Sequence, residues 1–320
     1  EINEKERRRV ETLRSALEQR NAGQRAGTGS RIVALDLSPE TSAGDVVAPR
    51  PGHEQFRLTP DYGRAAWATL RGHLDARQLP PRGVVRAAEL INAFTYRLPS
   101  PPTQGTDAVA AGIEMGDAPW APAHRLVRIG FKGREAALAE ARQGILDGIA
   151  RTQATIAREV RIQVEFNPAQ VASYRLIGRD GDVVTRESPV DDLATARELI
   201  EGQTFTALYE ILPATPSDLE SKVSDLLTVR LHYAEPQGAA RRTLEFSLAD
   251  RRGDTTPSAD FRLAAAAAEF AQLLSAPSGD GAWREALTRV AQVSTTPAED
   301  PDGRRAEFLE LVRKAQLLLE

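Results

Sequence analysis

The stretch VRIQVEFNPAQVASYRLIG, residues 160–178, decides the fold. Val160, Ile162, Val164 and Phe166 alternate with polar residues, the period of a strand that buries one face. Asn167-Pro168 breaks the run, because proline has no backbone N–H and fixes φ, and a second run, SYRLIG, follows it. The stretch therefore reads as two strands joined by a corner. DVVTR, TFTALYEIL, LLTVRLHYA and RRTLEFSLA repeat the pattern downstream, with turn chemistry between them at Asp180-Gly181 and at Pro236-Gln237-Gly238. About six short strands over 160–250 predict an antiparallel sandwich. Its expected interior holds Phe166, Leu176, Phe205, Leu208, Leu227, Leu231 and Phe246.

Working outward, periodicity changes to helical on both sides. REAALAEARQGILDGIARTQATIA predicts a linking helix over 134–157, weakened by Gly144 and Gly148. After 250, ADFRLAAAAAEFAQLLS, GAWREALTRVAQV and RRAEFLELVRKAQLLLE predict a helical cap. Upstream, DYGRAAWATLRGHLDARQ and GVVRAAELINAF predict two helices, the first presenting Tyr62, Ala66, Leu70 and Leu74 and the second Val84, Ala88, Ile91 and Phe94. AVAAGIEM and HRLVRIGFK then predict two strands. The fold class expected is α+β: a small N-terminal helix and strand unit over 56–133, a linking helix over 134–159, the sandwich over 160–250 and the helical region over 251–320.

Residues 1–55 differ in kind. Val10, Leu13 and Leu17 form a narrow apolar stripe in a charged helix, followed by the Gly/Ser-rich linker NAGQRAGTGS and a short strand in RIVALDLS. The segment is too poor in apolar residues to build its own core, so it reads as an arm that wraps a partner or docks its stripe on the chain's own body. Its expected partner-binding anchors are Leu13, Leu17, Ile32, Val33 and Leu35.

Composition excludes several chemistries. The 320 residues contain no cysteine, which rules out disulfides, thiolate metal sites and cysteine nucleophiles. A net charge of -4 with charged residues of both signs gives no field suited to nucleic acid. No apolar run reaches the ~20 residues of a membrane span. The chain begins at Glu1 rather than Met and shows no signal h-region or lipobox, as expected if an upstream segment has been removed or lies outside it.

No catalytic motif stands out. His53, His73, His124 and His232 are isolated and read as surface or half-buried residues. Asp191-Asp192 and Glu299-Asp300 read as loop carboxylates used in capping and solvation. VALDLSPETS imitates the opening of an adhesion-type magnesium loop at Asp36 and Ser38, but Glu40 stands where a second serine is needed. The expectation is a non-enzyme with no metal and no cofactor.

PDYGRAAWATLRGHLDARQLPPRGVVRAAELINAFTYRLP, APWAPAHRLVRIGFKG, VRIQVEFNPAQVASYRLIGRDGD, TFTALYEILP, SADFRLAAAAAEFAQLL and DPDGRRAEFLELVRKAQ resemble, in order, the blocks of bacterial von Willebrand factor type A domain proteins of the cell envelope. The resemblance spans roughly 56–320 and covers the regions flanking the A domain. In that family an A domain of ~150–200 residues stands between the blocks matched by HRLVRIGFKG and LAEARQGILDGIARTQATIAREV. Here the two nearly abut, at 133–137. The resemblance thus implies a chain whose A domain is missing, with no residue to inherit its metal function. What it implies for function is an interaction subunit: a membrane-extrinsic scaffold within a larger bacterial membrane complex, periplasmic or on the outer face of the cytoplasmic membrane. Its partners would be protein subunits. The alternatives are an envelope adaptor that recruits regulatory proteins, and an enzyme whose site is assembled from distant residues.

Overall fold

The computed structural model describes residues 64–102, 106–135, 154–178, 184–185, 190–214, 225–236, 240–249, 256–275, 282–294, 300 and 302–319, with backbone alone at 64, 184–185, 190–197, 282 and 294. The fold is α+β. Helices α1 (Arg64–Asp75) and α2 (Ala87–Ile91) precede strands β1 (Val109–Asp117), β2 (Arg125–Gly133), β3 (Thr155–Phe166), β4 (Val171–Leu176), β5 (Val184–Thr185), β6 (Val190–Ile200), β7 (Thr204–Pro213), β8 (Asp225–Ala234) and β9 (Arg241–Ala249); α3 (Ala259–Ser275), α4 (Ala282–Ser294) and α5 (Arg304–Leu319) close the chain. The strands form two antiparallel sheets, β1-β2-β7-β4-β5 and β6-β3-β8-β9.

The sheets pack on each other as the alternation demands. Val160, Ile162, Val164 and Phe166 are all buried in the sandwich core with Val127, Ile129, Phe205, Tyr209, Leu227, Val229 and Leu231. Phe166 stacks on Tyr174 with centroids 4.1 Å apart and meets Tyr209 edge-on at 5.2 Å. The Asn167-Pro168 corner carries the chain from one sheet to the other. Asn167 Oδ1 accepts from Ala169 N, Asn167 O accepts from Val171 N, and its amide donates to Asp225 O, so the corner is tied to β8 as well.

The second core is helical, and its aromatic heart joins distant segments: Trp67, Phe94, Phe270 and Phe308 meet edge to face, with Phe94 to Phe308 at 5.2 Å. α3 is buried nearly all round, because the small side chains of LAAAAA let α2, α4 and the five-stranded sheet approach it. That sheet is therefore the middle layer, with the second sheet on one face and the helices on the other.

Several expectations change. The strands of the N-terminal unit do not stand apart: β2 pairs with β7 over Arg125–Lys132, so 106–135 belongs to the sandwich. The expected linking helix is strand by Thr155–Ala157, where β3 begins; 136–153 lies outside the described residues. Asp191 and Asp192 are not in a loop but in β6, opposite Val164 and Gln163. Leu208 is buried in the helical core, not the sandwich, because successive residues of β7 face opposite layers. Leu176 and Phe246 are only partly buried against the sandwich core. Of the expected helix-face residues, Ala66, Leu70, Leu74, Ala88, Ile91 and Phe94 are buried, whereas Val84 is exposed; Tyr62 lies outside the described residues.

Candidate functional site

The helix-facing side of the middle sheet carries Arg128 and Glu210, two of the four buried charged residues among those described. Strand register places Glu114 opposite Arg128, Leu126 opposite Glu210 and Arg175 opposite Glu210, all on this face. Close approach is arranged by glycine: Gly112 pairs with Gly130, and a Cβ on either would run into Pro99 or Leu98 of the segment crossing above. Asn92 does a strand's work beside β4. Its amide donates to Thr206 O and accepts from Thr206 N, both at 2.8 Å, so β7 keeps its backbone paired where β4 has ended.

Glu210 is the centre of the site, with its side chain only 5% exposed. Trp120 Nε1 donates to Oε2 at 3.1 Å, Arg175 Nε and Nη2 reach the same oxygen at 3.0 and 2.5 Å, and His124 Nδ1 bonds Oε1. Burial pushes the Glu210 carboxyl up. The charge and hydrogen bonds of Arg175, with the bonds from His124 and Trp120, outweigh it and hold the group below its ordinary value. The carboxylate is thus kept charged with both oxygens occupied, an arrangement that orients its donors and is unsuited to a general base.

A second cluster locks helices to sheet. Arg128, 8% exposed along its side chain, donates from Nη2 to Glu114 Oε2 at 2.9 Å and lies over the Tyr96 ring at 5.5 Å. Glu114 also accepts from Ser258 N and Oγ, and Ser258 Oγ caps Phe261 N, so a sheet carboxylate fastens the start of α3. Asp260 accepts from Arg97 N at 2.6 Å and Arg305 Nη2 at 2.5 Å, adding α5. Burial pushes the Tyr96 phenol up, so it stays protonated and donates to Ile91 O. Within the helical layer, Glu269 receives Arg289 Nη2 at 2.6 Å. There burial wins, and the Glu269 carboxyl is pushed up. Asp300 accepts from Arg305 N and Ala306 N, the capping role expected for it.

The anchors Leu13, Leu17, Ile32, Val33 and Leu35 lie outside the described residues, as do Asp36, Ser38, His53 and Glu299. His73, His124 and His232 are half-buried as expected, but only His124 joins a buried carboxylate. Among the described residues no group of three or more His, Asp or Glu side chains could hold a metal ion. Among them, too, no helix is long and apolar enough to cross a membrane. The Glu210 cluster escapes sequence reasoning because its partners lie 35, 86 and 90 residues away. One signal was available: a lone glutamate inside the apolar run TALYEIL.

A sandwich with a helical cap, bound to it by buried ion pairs, defines an α+β protein. A family model described as von Willebrand factor matches residues 56–128. The chain belongs to the family described as "Uncharacterized protein YfbK, C-terminal", whose model matches residues 151–318. Uncharacterized protein YfbK of Escherichia coli K12 is 29% identical over 196 residues, covering 56% of this chain. The chain spans 33% of that relative's length. Among solved structures, a FixG-related protein from Vibrio parahaemolyticus aligns at 8% identity over 45% of this chain and 98% of its own, with a TM-score of 0.21. The collagen-binding domain of a Staphylococcus aureus adhesin aligns at 10% identity over 46% of this chain and all of its own, also at 0.21.

Proposed function

We propose that this chain is a non-enzymatic interaction subunit, a membrane-extrinsic scaffold that stabilises a larger bacterial membrane-associated complex from the periplasmic side. The observation that carries the reading is the junction between the matched regions. Only residues 129–150 separate them, too few for an A domain of ~150–200 residues, and the regions on either side share one sheet and one helical core. In this reading the A domain has been lost and its flanks have become a single body. Von Willebrand factor-type regions often serve protein interactions, which supports an interaction role over a catalytic one. The arm over 1–55 supplies a further attachment, through Leu13, Leu17, Ile32, Val33 and Leu35.

Deleting residues 1–52 and fractionating native membranes tests this. The intact chain is expected to travel with a membrane complex and the truncated chain to be largely lost from it while remaining folded. An intact chain found only as a free monomer contradicts the scaffold; a truncated chain retained in full amount contradicts the arm.

A further inference from the structure

We propose that β9 is a self-pairing edge through which two copies of this chain associate, their β9 strands running antiparallel about a two-fold axis at Phe246. The proposal does not depend on the scaffold reading, since it concerns what the chain does with a second copy of itself.

β9 is the last strand of its sheet, and among the described residues only β8 pairs with it. A strand with one neighbour leaves every second backbone N–H and C=O on its outer side without a strand to meet. Leu244, Phe246 and Leu248 point into the sandwich beside Leu231, Val229 and Leu227 of β8, yet the β8 residues are buried and the β9 residues only half-buried. Among the strands whose side chains are described, β9 is the one with no buried residue. Ala111 and Ile113 of β1, an edge strand of the facing sheet that approaches β9, are half-buried against the same core. This side of the sandwich is thus an apolar seam bounded by an open backbone edge.

Two other edges are closed against pairing in the usual ways. β5 is two residues long, and β6 carries Asp191, Asp192, Arg197 and Glu198 along its length. From Thr243 to Ala249, β9 has no proline, and its one charged residue, Glu245, is engaged by Arg230 Nε at 3.0 Å. What fits such an edge is a strand of the same alternation, and β9 itself supplies it. Centred on Phe246, antiparallel self-pairing sets Phe246 against Phe246, Leu244 against Leu248, Thr243 against Ala249 and Glu245 against Ser247. Sliding the register by two residues one way sets Glu245 against Glu245; the other way leaves Leu244 beyond the end of the partner's strand. One register therefore matches all three apolar side chains and opposes no like charges. It joins two four-stranded sheets edge to edge, in the isologous two-fold geometry commonest among dimers.

Sedimentation equilibrium of the full chain across micromolar concentrations tests this, because a one-strand interface lies at the small end of stable ones. A monomer–dimer equilibrium is expected. Ser247→Glu, which puts a carboxylate opposite the partner's Glu245, is expected to weaken the dimer about tenfold and Ser247→Lys to tighten it several-fold, each substitution acting twice across the axis. Ser247 is exposed, so both variants are expected to keep the urea midpoint of the unaltered chain at concentrations where it is monomeric. Phe246→Lys, an inward charge on the edge, is expected to abolish the dimer. A chain that stays monomeric overturns the proposal, as does a dimer that the two Ser247 variants change alike or not at all. A dimer lost on deleting residues 1–52 but indifferent to Ser247 would put the contact in the arm, and a chain that dimerises only after that deletion would have its arm over β9; both overturn it. Co-purification with a membrane complex is a separate readout: a monomer that still travels with one leaves the scaffold standing while the self-pairing fails.

Discussion

The two faces of the five-stranded sheet are built on different principles. The face toward the second sheet is apolar, with Val127, Ile129, Phe131, Phe205, Tyr209 and Ile211 filling the sandwich core. The face toward the helices carries Glu114, Arg128, Arg175 and Glu210 among Leu126 and Leu208, with paired glycines where the chain crosses closely. Apolar packing tolerates many partners, whereas a buried ion pair accepts few, so the first face gives cohesion and the second fixes how the helical layer sits.

The largest effect is expected on the apolar face. Phe166→Ala removes a ring stacked on Tyr174 and edge-on to Tyr209, and is expected to cost about 3 to 5 kcal/mol in urea unfolding. A loss below about 1 kcal/mol would mean that the sandwich core collapses around the gap and is not tightly packed.

Gly178→Ala comes next, at the seam between sheet and helices. Gly178 has φ +86°, and a Cβ there would strike the backbone of Ala88 at the start of α2. Left-handed strain and overpacking together predict a loss of about 2 to 4 kcal/mol. Retention of full stability would show that α2 moves away freely.

The two buried glutamates give a smaller effect with opposite signs. Glu210 has a folded carboxyl below its unfolded value, so its contribution is complete above the unfolded value and is lost as pH falls through the folded one. Glu269 has a folded carboxyl above its unfolded value. The native state holds its proton more tightly, so its contribution is greatest in acid and is lost as pH rises through the folded value. Glu210→Gln is expected to cost about 1.5 to 3 kcal/mol at neutral pH and to flatten the acid limb of the stability curve. Glu269→Gln is expected to leave neutral stability unchanged or raised. Urea midpoints measured from about pH 3 to 8 decide both, and like behaviour of the two variants would sink the distinction.

The smallest effect lies away from the sheet. Arg77 ends α1 with φ 56°, where Arg77 N donates to Leu74 O and Gln78 N to His73 O, a helix stop that usually takes glycine. Arg77→Gly is expected to gain up to about 1 kcal/mol, the relief of left-handed strain being partly offset by glycine's greater freedom when unfolded. A loss in thermal unfolding would mean that the arginine side chain contributes more than its backbone costs.

Legibility in the sequence follows the same division. Val160, Ile162, Val164 and Phe166 announce their face because alternation marks a strand with one buried side and one wet side. β7 has both sides buried, and Phe205 and Leu208 then look equivalent although they enter different cores. β6 hides altogether: VDDLATARELI lacks the β-branched alternation that marks strands, and β3 recruits it through pairing from Thr155 to Glu165. The helical faces on α1 and α2 were legible from periodicity. Their partner was not, since Trp67 bonds Glu307 240 residues away. The Glu210 cluster was illegible for the same reason, being assembled by register and a loop, with no spacing in the chain to reveal it.

The regions before and after 136–153 form one body, sharing a sheet through β2 and β7 and a helical core through Trp67, Phe94, Phe270 and Phe308. Expressing residues 1–135 and 154–320 separately and together, and following each by urea unfolding and circular dichroism, tests it directly. Neither piece alone is expected to show a cooperative transition, because β7 would lose a central neighbour and α3 part of its cover; the two together are expected to assemble into a complex with native-like unfolding. A 154–320 fragment that unfolds cooperatively by itself, with the stability of the intact chain, would contradict the claim.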